Sequence, residues 1–276
     1  MSQLKEMKEM KDLGFAAGDA PKLDKRDTAI DLPEYSGKNG VEAELAQLRN
    51  HIGELQDRMF TRKDRALLVV LQGMDSAGKD STTKAVFTGV NPLGMRAASF
   101  SFPTPLEQRH DYLWRVHAQV PPRGCIGVFN RSHYEDPVIN LVHEQIDATE
   151  FDRRLAQIAD FERMLAENGT TIVKCFLHIG HEEQRERLQE RIDNPAKHWK
   201  FDPSDLSERK LWRRYQDAYE AALRRSNARH APWFIVPADR KPIRNLLVAR
   251  LVVQALEAMD IREPDPKPEL KGLKVV

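Results

Sequence analysis

The sequence predicts an α/β fold: a five-stranded parallel sheet flanked by helices, with a helical insertion before the last strand. Three features predict it. Short apolar runs rich in β-formers alternate with helix-period segments, the pattern of parallel strands joined by helical crossovers. A glycine loop carrying a lysine stands directly between the first of those runs and a helix-like segment. Between Gly180 and Ala231, two helical stretches follow one another with no strand between them.

Residues 1–39 are polar, contain Pro21, Pro33 and Gly37 and lack periodicity, so they read as an N-terminal arm that either wraps the domain or stays mobile. One domain, 40–262, follows, and a charged, Pro-rich tail closes the chain at 263–276. From Val41, the residues Leu45, Leu48, Ile52, Leu55 and Met59 recur at helical steps on one stripe. Ala66–Leu71 is a continuous apolar run, a buried strand. Further strands are predicted near Met95–Phe102, Cys125–Phe129, Thr171–Ile179 and Trp233–Val236. Thr104-Pro105-Leu106-Glu107 has the form of a capping box and predicts a helix from about Pro105. Thr149 precedes a helix running to about Asn168, which Gly169 is placed to end. The insertion, about 181–230, is read as helices over 181–193 and 206–225, with Asp205 and Glu208 as the cap of the second. A last helix covers about 241–259.

A hydrophobic content of 41% over 276 residues supports a sizeable core and excludes disorder. Lys+Arg (43) and Asp+Glu (42) nearly cancel, which excludes indiscriminate attraction of polyanions and argues against a nucleic-acid partner. Residues 181–244 nevertheless hold fifteen Lys+Arg against eleven Asp+Glu, so the cations are gathered around the insertion. Cys125 and Cys175 lie in apolar runs and read as core residues. No run approaches the roughly eighteen apolar residues of a membrane span, and the opening lacks a signal-peptide core, so a soluble cytoplasmic protein is expected.

The loop Gly73-Met-Asp-Ser-Ala-Gly78-Lys79-Asp80-Ser81 has the parts of a phosphate cradle. Its glycines let backbone N–H groups converge, the helix start adds partial positive charge, and Lys79 adds a full one. Gly73, Ala77, Gly78, Lys79 and Ser81 are the candidate phosphate-binding residues. Asp80 stands where a Ser or Thr hydroxyl normally meets magnesium, and Asp75 is a second acid inside the loop. Two carboxylates in a phosphate cradle call for a cation, so both are candidate Mg²⁺ ligands, with Mn²⁺ as a substitute; helix capping is the alternative for Asp80. Phe129-Asn130-Arg131-Ser132-His133-Tyr134-Glu135-Asp136 ends the third strand, on the edge where an open parallel sheet binds ligands. Arg131 suits a transferred phosphoryl group, and Glu135 or Asp136 suits metal binding or acceptor orientation. Ser132 beside His133 is not read as a nucleophile and base, because sequence neighbours seldom face each other.

These blocks, with VNPLG at 90–94, PTPLEQRHDYLWRVH at 103–117, NPAKHWKF at 194–201 and APWFIVPADRKPIR at 231–244, resemble the type-2 polyphosphate kinase family over about residues 40–260. FNRSHYED resembles its third class, whose members phosphorylate AMP as well as ADP; an aspartate in place of Asn130 marks the others. The resemblance implies a P-loop kinase core with a helical lid, Mg²⁺, transfer from inorganic polyphosphate to AMP and ADP, and a homo-oligomer, by analogy a tetramer. It implies that Arg187, Arg191, Lys197 and Lys200 line the polyphosphate path. Phe102, Asn130, Arg131 and Glu135 are candidates for the nucleotide, with Phe102 as a wall for adenine. Trp199, Trp212 and Trp233 are read as packing anchors. A phosphohistidine on His110, His117 or His133 is not favoured, since none lies in the loop. An ATP-dependent nucleoside monophosphate kinase and a non-catalytic polyphosphate- or nucleotide-binding module are the competing readings.

Overall fold

Every residue of Ala66–Gln72 is buried, and this segment forms the central strand, β1. In the computed structural model, which describes residues 13–14, 19, 21–33, 35, 38–263, 271 and 274, five parallel strands lie in the order β2-β3-β1-β4-β5. The other strands are β2 (Met95–Ser99), β3 (Ile126–Asn130), β4 (Thr170–His178) and β5 (Trp233–Pro237). Near-continuous apolar sequence in β1, β3 and β4 matches a parallel sheet covered on both faces. The second strand stops three residues earlier than predicted. Phe100 turns into the core and packs edge-on against Phe129, with ring centroids 5.0 Å apart, which leaves Phe102 on the following loop.

The helices are α1 (Lys38–Arg62), α2 (Lys79–Phe87), α3 (Trp114–His117), α4 (Glu135–Val142), α5 (Ala148–Glu167), α6 (His181–Asp193), α7 (Ser204–Lys210), α8 (Trp212–Ser226) and α9 (Lys241–Ala258). Helix α9 packs on β1, β4 and β5 and holds α1 and α2; helix α5 packs on β4 and gathers α4 and α8. The buried stretch Leu246–Val253 shows why α9 lacks a polar face: it is sandwiched between strands and α1.

Several local expectations change. Thr104 and Glu107 do exchange capping-box bonds, Glu107 N to Thr104 Oγ1 (3.3 Å) and Thr104 N to Glu107 Oε2 (2.7 Å). The box leads only into a 3₁₀ turn, Glu107–Arg109, and the four-residue α3, since the exposed segment has no apolar stripe to bury. The cap of α5 is Asp147, which accepts from Glu150 N (2.8 Å), rather than Thr149. The predicted helix 206–225 is two helices, broken at Leu211, where Leu211 and Trp212 both pack against the core. Its entry is organised by Asp202, which accepts from Ser204 N (2.8 Å), while Glu208 instead accepts from the Tyr215 hydroxyl (2.5 Å). Helix α8 is also a layer of the core, with Ala218, Tyr219, Ala222 and Leu223 buried, so within the insertion the exposed part is Asn194–Lys200 and α7.

The described part of the arm wraps the domain. Leu13, Leu23 and Leu32 are buried, Leu23 N donates to Glu220 (2.8 Å), and the Thr28 hydroxyl donates to Asp239 (2.6 Å). Residues 1–12 and most of the tail lie outside the described residues. Both cysteines are free and buried, and among the described residues no helix is long and apolar enough to cross a membrane.

Candidate active site

Sheet register brings the two predicted polar segments together. Leu71 of β1 pairs with Asn130 of β3, so the loops leaving these strands begin side by side at the carboxyl edge. Arg131 N donates to Leu71 O (3.0 Å) and ties the second loop to the first strand. Gly73 (φ +151°) and Gly78 (φ +100°) adopt backbone conformations that favour glycine. A Cβ on Gly73 would stand 2.6 Å from Leu177 O, and one on Gly78 would overlap the Arg244 guanidinium.

Lys79 opens α2 and is buried, with Nζ donating to Gly73 O (2.7 Å) and Met74 O (3.2 Å). Burial pulls its ammonium below the ordinary value, against the opposing pull of Asp75, Glu135 and Asp80, so three carboxylates surround this cation. Arg131 has φ +64°, a strained conformation for a residue with a Cβ. Its guanidinium donates to Asp75 Oδ1 (3.1 Å) and lies 4.0 Å from Glu135 Oε2; Glu135 foremost, then Asp75, holds it above its usual value. The Asn130 amide donates to Asp80. Arg131 meets Asp75 and Asn130 meets Asp80, so the polar segment after β3 faces the phosphate loop, as the sequence predicted.

Asp75, Asp80 and Glu135 are hard oxygen donors. Among the described residues no group of three or more His, Cys, Asp or Glu forms a metal cage. Two loop carboxylates without a cage fit Mg²⁺, an ion that takes one or two protein carboxylates and completes its shell with phosphate oxygens and water.

The predicted polyphosphate cations divide. Arg187 does not line an open path: it is 7% exposed, and all its donors are engaged by Glu183 and four backbone carbonyls. Those carbonyls belong to Ser76 and Ala77 of the phosphate loop and to Ala238 and Asp239 after β5, so the residue ties the two segments together. Arg191 donates to Lys200 O (3.2 Å) and Asp205 (3.4 Å), Lys197 pairs with Glu190, and the Lys200 ammonium lies 4.8 Å from the Trp199 ring centroid. Ser81 Oγ donates to Gly78 O (2.9 Å) and accepts from Arg244. Phe102 is 85% exposed. Trp233 is buried and Trp212 packs on the core, but Trp199 is 78% exposed and is no packing anchor, because its short 3₁₀ segment buries nothing.

Ser132 and His133 do not face each other. The Ser132 hydroxyl donates to Gln72 Oε1 (3.1 Å), whereas buried His133 meets Glu162 (3.0 Å). His110 stacks on Trp114, and His117 lies edge-on to Phe161. Asp136 pairs with Arg154.

Sequence reading missed Gln72, whose buried amide donates to Glu135 Oε1 (2.6 Å) and to the Tyr219 hydroxyl (3.2 Å) and fixes the acid at the site. The signal was a glutamine ending an otherwise apolar strand. Asp205 is half-buried and accepts from Arg191 (3.4 Å); burial and then Asp75 push its carboxyl up.

Comparison with known proteins identifies the family. The family described as Polyphosphate kinase 2 (PPK2) matches residues 35–264. An AMP/ADP-polyphosphate phosphotransferase of Meiothermus ruber is 48% identical over 84% of this chain and 86% of its own. An ADP-polyphosphate phosphotransferase of Rhodopseudomonas palustris is 38% identical over 92% of each chain. The crystal structure of Polyphosphate Kinase 2 from Arthrobacter aurescens superimposes with a TM-score of 0.88 at 39% identity, covering 96% of this chain and 93% of that one.

Proposed function

The chain belongs to the polyphosphate kinase 2 family, and from that premise we propose that it transfers the terminal phosphoryl group of inorganic polyphosphate to AMP and to ADP, forming ADP and ATP. The observation that carries the reading is the meeting of Lys79, Arg131, Asp75 and Glu135 where β1 and β3 end side by side.

An oxygen of the acceptor phosphate attacks the terminal phosphorus in line, the bridging P–O bond breaks, and the shortened polyphosphate leaves with that bond's electrons. The nucleophile is already anionic, so no general base is needed, and catalysis rests on alignment and charge neutralisation. Lys79 leaves its carbonyl contacts to meet phosphate oxygens. Arg131 exchanges Asp75 for the transferred group, while Glu135, oriented by Gln72, and Asn130 place the acceptor. Phe102 offers its exposed ring to the adenine. Arg191, Lys197 and Lys200 guide the polyanion by trading their present partners for phosphates. Asp75 and Asp80 are the residues that would hold magnesium, which when bound would supply further neutralisation of phosphate charge. The same proposal includes a lid formed by the exposed part of the insertion, a homo-oligomeric assembly, a tetramer, and a cytoplasmic setting.

The test is incubation of AMP with long-chain polyphosphate and Mg²⁺ in the absence of ATP, with and without EDTA. ADP followed by ATP is expected, abolished by the chelator. Absence of ADP, with ADP appearing only when ATP is supplied, would establish the ATP-dependent kinase instead. Tight polyphosphate binding without any turnover would establish a binding module.

A further inference from the structure

Resting on the reading of Gly73–Ser81 as a phosphate cradle, we propose that Arg187 and Arg244 are positioning residues, a buried guanidinium pair that holds the Ala77–Gly78 peptide so that its N–H faces the phosphate. Both side chains converge on one carbonyl: Ala77 O accepts from Arg187 Nη1 (3.3 Å) and from Arg244 Nη1 (3.0 Å). In a trans peptide the carbonyl and the N–H point opposite ways, so fixing Ala77 O behind the loop aims the Gly78 N–H forward. The preceding amide is already committed, since Ala77 N donates to Met74 O (3.1 Å).

Neither arginine is placed to meet a polyanion arriving from solvent, at 7% and 1% exposure. Arg187 comes from α6 and also grips Ser76 O (3.0 Å), Ala238 O (2.8 Å) and Asp239 O (2.7 Å). Arg244 comes from α9 and reaches Ser81 Oγ (2.9 Å) and Asn245 Oδ1 (2.9 Å). The loop is therefore held from the insertion and from the core at once. Asp239 extends the bracing: its carboxylate accepts from Gly180 N (2.8 Å) at the start of α6 and from Thr28 of the arm (2.6 Å). Burial, and then the adjacent Arg187 charge, push Arg244 down to about 9, which leaves its guanidinium charged at neutral pH. Gly78 fits the same device, because any Cβ there would occupy the space of the Arg244 guanidinium.

The experiment measures steady-state kinetics with AMP and with short and long polyphosphate for the full-length wild type, Arg187→Ala and Arg187→Lys. A misdirected amide is expected to lower kcat of Arg187→Ala about 10²-fold, while KM for polyphosphate changes less than about threefold at either length. Millimolar guanidinium restores part of the lost rate and ammonium does not. Arg187→Lys remains impaired, since a point charge cannot span four carbonyls. An unchanged kcat with a KM that rises more for the longer chain would make Arg187 a substrate contact and overturn the proposal. So would unchanged kinetics. Amide hydrogen exchange at Ala77, whose N–H donates to Met74 O within the loop, supplies a second readout in Arg187→Lys, a milder change that keeps the charge: exchange about tenfold faster than wild type is expected, and unchanged exchange would overturn the proposal. A wild type that makes no ADP would sink the functional reading alone, because the exchange measurement needs no turnover.

Discussion

Replacing Lys174 by Met removes one charge from the centre of the molecule and leaves its partner behind. Lys174 lies in β4 with no exposed surface, and its Nζ donates to Glu162 Oε2 (2.6 Å), Tyr134 OH (2.9 Å) and Ser226 O (2.8 Å). Methionine is unbranched and of similar length, so packing is largely kept and the electrostatics are isolated. Glu162 would retain His133 (3.0 Å) and the Tyr134 hydroxyl (2.9 Å) but lose its cation. Breaking a buried ion pair from one side costs about 3–5 kcal/mol, a large share of the roughly 5–15 kcal/mol that holds a domain together. The pH dependence has a definite sign. In the wild type, burial pushes the Glu162 carboxyl up but Lys174 and His133 outweigh it and hold the carboxyl below its ordinary value, so its contribution is present above that value and is lost as pH falls through the depressed one. Without Lys174 burial prevails, the folded value rises, and the deficit is full at alkaline pH and shrinks as acidification protonates Glu162. Urea denaturation at pH 8 and pH 5.5 measures this, with Lys174→Met/Glu162→Gln as the relieved double variant. A loss below about 1 kcal/mol at pH 8, or a double variant no more stable than the single, would refute the reasoning. Activity should fall as well, since His133 and Tyr134 anchor the segment between Arg131 and Glu135.

Two other outcomes are expected from the geometry. Gly78→Ala places a Cβ against Arg244 at φ +100°, and kcat/KM for phosphoryl transfer should drop at least about 10²-fold while near-UV circular dichroism stays native; retained activity would contradict the assigned loop geometry. Burial pushes the Cys175 thiol up to about 12, so iodoacetamide at pH 8.5 should leave it unlabelled in the native protein and label it in denaturant, as peptide mass mapping would report.

The sheet and the chemical inventory of the site were legible because both are written locally. Ala66–Leu71 cannot be buried on both faces except inside a covered sheet, and a glycine loop between a strand and a helix can converge its amides only one way. Asp75, Lys79, Asp80, Asn130, Arg131 and Glu135 were named from two short segments, and the β1–β3 register joins them. The failures are of the opposite kind. The capping box at Thr104 formed its bonds but no sustained helix grew from it, since local hydrogen bonds do not supply an apolar face. Trp199 looked like an anchor by residue type, yet the structure gives it no partner surface to bury against.

Arg187 marks the boundary between the two kinds of information most clearly. By itself the sequence determined a parallel α/β domain with a glycine loop suited to phosphate, because strand periodicity, turn conformation and ligand chemistry depend on neighbours a few residues away; the kinase reading rested on the family resemblance. Whether a given arginine meets the substrate or braces the loop behind it depends on which carbonyls the fold places around it. For Arg187 those belong to residues 76, 77, 238 and 239, remote in sequence and adjacent only because β1, β4 and β5 end at one edge of the sheet. Charge and residue type cannot encode that distinction; burial and hydrogen-bond geometry decide it.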